Sequence, residues 1–174
     1  MKNFRIIKYN PRNVDENNNI ISDEWTSFSD IGEKMGNVVI TFEDYKKIEN
    51  AYIDTIIDLM KYNGISELTI KRIEKYDQNI EWNAGDDFNV KEAVELYKRL
   101  RNGLTIKTDT LVKVCKLILR EHVWCKLEYK EIFYVHFGWD YYMYIGCQNI
   151  GCDFKREVRN RGIYADEFES PYLD

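Results

Sequence analysis

"VWCKLEYKEIFYVHFGWDYYMYIG", residues 123–146, contains three short runs, VWCKLEY, IFYVHF and YYMYIG, that alternate as β-strands do and are parted by the polar breaks KE and GWD. The pattern predicts an antiparallel three-strand meander. Strict alternation places Phe133, Val135 and Phe137 on one face and Ile132, Tyr134 and His136 on the other; beyond the turn, Tyr141, Met143 and Ile145 oppose Tyr142 and Tyr144. Both faces are largely apolar. One is expected to pack on helices, and the other either lies under a loop or presents its phenols to solvent.

The segments before the meander change period. In FEDYKKIENAYIDTIIDLMKYNG, residues 42–64, Tyr45, Ile48, Tyr52, Ile56, Leu59 and Met60 recur every three or four positions, Thr41 with Asp44 resembles a capping box, and Asn63-Gly64 gives a left-handed stop. Asn89 with Glu92 marks a second helix with an apolar stripe of Val90, Val94, Tyr97 and Leu100, ending at Gly103. Thr108 or Asp109 is the expected cap of a third, TLVKVCKLILRE, whose apolar residues nearly encircle it, as in a buried helix. ISELTIKRIEKY is assigned to a strand on its β-branched residues. NFRIIKYN is a strand stopped by Asn10-Pro11; after a polar loop, EWTSFSDIG is expected to return beside it, with Trp25 on one face and Phe28 on the other. A short basic helix, CDFKREVRNRG, and an extended segment, IYADEFESPYL, follow the meander. The class is α+β: an antiparallel sheet including a C-terminal three-strand meander, packed with three to four helices. With no internal repeat or linker, and prolines only at Pro11 and Pro171, residues 1–174 form a single domain.

Charged residues make up 32% of the chain and hydrophobic residues 44%, which excludes a disordered or membrane-embedded class, and no apolar run approaches the ~18 residues of a membrane span. The first residues lack the apolar region of a signal peptide, so a cytoplasmic location is expected. Twenty-five basic against 30 acidic residues leave a net charge of −5, which argues against nucleic acid and for a basic partner. The four cysteines then read as reduced thiols.

Reactive chemistry finds few candidates. Cys125 follows His122 by three residues, but no third residue is specified to orient such a pair. His122, Cys125, Cys147 and Cys152 lack C-x2-C spacing, so no metal or cofactor is expected, and the thiols are better read as small core residues. Asp86-Asp87 before the second helix complements its positive end. Lys155, Arg156, Arg159 and Arg161 read as a solvated face that pairs with nearby acids.

Surfaces carry more. Trp139 beside Asp140, and Glu81, Trp82, Asp86 and Asp87 in NIEWNAGDDF, pair indoles with carboxylates. With Tyr142 and Tyr144 they are the candidate partner-binding residues for a basic protein such as a toxin domain. The alternative is a small-ligand binder or enzyme with a pocket over the aromatic meander, built on His136, the tyrosines and Asp140. The stretches FRIIKYNPR, DEWTSFSDIG and DEFESPYL resemble the ends of small bacterial proteins of the toxin-immunity type. That resemblance spans around thirty residues and carries no catalytic motif. It implies a non-enzymatic cytoplasmic protein that neutralises a toxin by occluding it.

Overall fold

The computed structural model describes residues 1–16, 24–76, 80 and 89–173. Seven antiparallel strands form its main sheet: β1 (Lys2–Ile7), β4 (Glu67–Lys75), β5 (Thr105–Lys107), β6 (Val123–Tyr129), β7 (Phe133–Phe137), β8 (Met143–Cys147) and β9 (Tyr164–Glu167), in the order β5-β4-β6-β7-β8-β1-β9. The meander is its centre, as the alternation predicts. β2 (Lys34–Met35) and β3 (Val38–Val39) make a separate small hairpin. Four helices, α1 (Phe42–Tyr62), α2 (Val90–Arg99), α3 (Thr108–Leu119) and α4 (Phe154–Asn160), complete an α+β architecture. Among the described residues no helix is long and apolar enough to cross a membrane.

One face of the sheet is the hydrophobic core. Val123, Cys125 and Leu127 from β6, Phe133, Val135 and Phe137 from β7, and Met143, Ile145 and Cys147 from β8 join Phe4 and Ile6 of β1 in a continuous buried cluster. The helices supply the other half, with Tyr45, Tyr52 and Ile56 from α1, Ala93 and Tyr97 from α2, Leu111, Val114 and Leu117 from α3, and Phe154 and Val158 from α4. Burying side chains of this size removes on the order of 1.5–3 kcal/mol each from water, which makes this layer the main source of stability. Inside it, Arg120 donates through Nε and Nη2 to both Glu49 oxygens at 2.7 and 2.8 Å, both side chains being fully buried, and Tyr45 adds a bond to Glu49.

The opposite face is polar and aromatic. The register aligns Lys126, His136, Tyr144, Arg5 and Asp166 in one row across β6, β7, β8, β1 and β9. The next row runs Glu128, Tyr134, Gly146 and Asn3. The Tyr134 ring lies over Gly146 so closely that a Cβ there would fall 2.1 Å from its Cε1. Residues 168–173 cross these rows as a strap. Ser170 Oγ lies 2.8 Å from His136 Nδ1, Lys126 donates to the Tyr172 carbonyl, and the Tyr172 ring packs on Trp124 and Tyr144.

Several local expectations hold. Thr41 and Asp44 form the reciprocal capping box of α1, Gly64 beyond its end has φ 66°, and the basic residues of α4 pair with acids, Arg156 with Asp153 and Lys155 with Glu167. Others are corrected. EWTSFSDIG is not a strand: Ser27 and Asp30 cap a 3-10 turn over Phe28–Asp30, where reciprocal side-chain bonds outcompete a ladder. The buried stripe of α2 is Ala93, Tyr97 and Leu100, and Val90 is exposed. Neither Thr108 nor Asp109 caps α3, because the unread strand β5 runs straight into that helix with Lys107 at the cap position.

Candidate functional site

The GWD break is the turn between β7 and β8, and its backbone is unusual. Asp140 and Tyr141 have consecutive positive φ values, 53° and 59°, as mirror-image hairpin turns require, and Tyr142 N–H donates to the Trp139 carbonyl at 3.1 Å. Aspartate tolerates that region, whereas a tyrosine held there stores roughly 1–3 kcal/mol of strain that surrounding contacts must offset. Those contacts are tyrosines. Tyr52 donates to the Tyr141 carbonyl at 2.5 Å, Tyr9 donates to the Asp140 carbonyl at 2.8 Å, and the Tyr141 hydroxyl donates to the Leu119 carbonyl at 2.8 Å. The Tyr141 ring meets Trp25, Tyr45 and Tyr52 edge-on, and burial pushes the Tyr45, Tyr52 and Tyr141 phenols far above their ordinary range, so all three stay neutral donors.

A turn locked from beneath projects its first residue outward. Trp139 is 78% exposed, the most exposed large hydrophobic side chain among the described residues. Beside it opens a cavity of about 360 Å³ whose aromatic walls are Tyr76, Trp124, Phe137, Trp139, Tyr141 and Tyr142. Trp124 is fixed by an indole bond to the Phe137 carbonyl at 2.7 Å, and Tyr76 by a bond from its hydroxyl to Glu74. Glu121 and Asp140 are the carboxylates of the lining, and the end of α3 contributes Ile118 and Leu119.

The structure brings together three of the expected residues, Trp139, Asp140 and Tyr142. Tyr144 lies elsewhere. It is 6% exposed under Phe168 and Tyr172, so of the two expectations for this face it is cover by a loop that the structure shows, and Tyr144 is corrected as a partner-binding residue because the strap lies over it. Glu81, Trp82, Asp86 and Asp87 lie outside the described residues. Tyr76, Trp124 and Glu121 were not legible as site residues, since nothing in their local patterns announces that β4, β6 and the end of α3 meet beside the turn.

Nucleophilic chemistry is poorly supported. Cys125 faces the core, and burial pushes its thiol up to about 12, so the thiolate a nucleophile needs is suppressed. His136 sits under the strap, stacked on Tyr134 at 4.5 Å and facing Ser170 and Glu128, whereas Asp140 belongs to the turn. Among the described residues no three His, Cys, Asp or Glu side chains converge as metal ligands. No protein-family model matches the chain, and neither a curated protein nor a solved structure is significantly similar to it.

Proposed function

We propose that this chain is a non-enzymatic protein-binding module of the toxin-immunity type, acting in the cytoplasm by covering a basic surface of its partner. The observation that carries the reading is Trp139, a large ring left in solvent on a backbone that buried hydroxyls hold still. Interface energy concentrates in aromatic anchors at the centre of a contact, tryptophan foremost among them. Asp140 and Glu121 beside it complement positive charge, and the net charge of −5 steers a basic partner inward.

The test is co-purification with the product of the adjacent gene, followed by titration of the pair. Trp139→Ala is expected to weaken the complex about 30-fold, the scale of an interface hot spot, while leaving urea stability within ~0.5 kcal/mol. A complex indifferent to that substitution, or no complex, removes the reading. The cavity favours a second reading, a small-ligand binder whose pocket opens at the end of the meander. It predicts a ligand-dependent rise in Tm without any protein partner.

A further inference from the structure

We infer that the cavity beside Trp139 is a receptor for a single arginine side chain carried on the partner's surface. This rests on the protein-binding reading and names the group the site takes. Two independent features of the lining favour a cation there. The walls are largely aromatic, and Trp124 and Trp139 carry the strongest ring quadrupoles among them. Among the described residues, the only groups of the lining charged at neutral pH are the Glu121 and Asp140 carboxylates, and none is a lysine or arginine.

The rest of the molecule treats aromatic surface in a consistent way. Arg5 lies over Phe168 at 4.8 Å, Lys75 over Tyr97 at 5.0 Å, Lys130 over Tyr129 at 4.8 Å and Arg159 over Tyr164 at 5.8 Å. The cavity has rings and carboxylates of the same kind, and among the described residues its lining contributes no cation. Guanidinium suits it better than ammonium. It is planar, stacks on indole, sheds water more readily and presents several donors to two carboxylates at once.

The experiment uses the full chain and follows the four tryptophan indole N–H signals by NMR while N-acetyl-arginine methylamide is added. Saturable shifts of the Trp139 and Trp124 signals in the millimolar range are expected, with weaker binding of the lysine analogue and none of the uncharged citrulline analogue. Asp140→Asn with Glu121→Gln should weaken arginine binding by about five-fold, the upper range for exposed ion pairs, and added salt should act in the same direction. Asparagine accepts the left-handed backbone of position 140, so the variant keeps the turn. Equal binding of the citrulline analogue, or no shift at either indole, overturns the inference. If the arginine probe fails while Trp139→Ala still disrupts the partner complex, the cation is wrong and the interface stands. If the probe binds and no partner complex forms, the cation site stands without the protein-binding reading.

Discussion

The two faces of the sheet are closed by opposite means. The helical face is shut by four helices whose apolar side chains enclose a charged pair, Arg120 with Glu49, at full burial. The other is shut by six residues of strap that hold a row of polar and aromatic groups through a few directed bonds, from Lys126 and His136 to Tyr172 and Ser170. A face closed by area has its stability spread over many contacts, so its vulnerable points are its exceptions. A face closed by directed bonds depends on each of them.

The largest loss is expected at the exception in the helical face. Arg120→Met strands the Glu49 carboxylate in the core and should cost about 3–5 kcal/mol in urea unfolding, while adding Glu49→Met should restore much of it. A single-variant loss below about 1 kcal/mol would mean that water reaches the pair. On the strap face, Gly146→Ala drives a methyl into the Tyr134 ring and should cost about 1–3 kcal/mol by overpacking. Ser170→Ala removes the partner of His136 Nδ1 and should cost about 1–2 kcal/mol, with faster amide exchange confined to residues 168–173. Loss spread evenly over both faces would contradict a strap held by directed bonds.

The smallest effect at neutral pH belongs to the core thiols. Burial pushes Cys125 up to about 12 and Cys147 up to about 11, from an ordinary 9.0. The folded chain therefore keeps protons that the unfolded chain has lost. Their contribution is fully present below pH 9 and is lost as pH rises through 11 and 12, so the urea midpoint should fall over that window. At pH 8 a thiol reagent should modify exposed Cys152 quickly and Cys115, Cys125 and Cys147 only on unfolding.

What the sequence displays follows the same division. Area-driven closure leaves a period. The meander, α1 and the encircled α3 were legible because burial repeats every two or three to four residues. Directed closure leaves none: Ser170 and Tyr172 belong to a segment without alternation, and the role of Gly146 depends on a ring twelve positions earlier, across the β7–β8 register. β5 is too short for a period. Trp139, Asp140 and Tyr142 were found as an aromatic and acidic cluster, but not the locked turn beneath them, because Asp-Tyr is not a familiar turn pair and its support comes from hydroxyls on β8's distant neighbours. The other half of the cavity comes from β4, β6 and α3, and only the folded sheet assembles it.

The place of β1 between β8 and β9 also sets a schedule. Arg5 and Asp166, bonded at 2.6 Å, are 161 positions apart, and β1 finds no neighbour in the sheet until residues 143–147 are made. Loop closure of that length is slow relative to local helix formation. During synthesis the apolar run FRIIKY therefore waits without a strand to pair with, and this protein should refold more slowly than its helices alone would suggest, with docking of β1 as the late step.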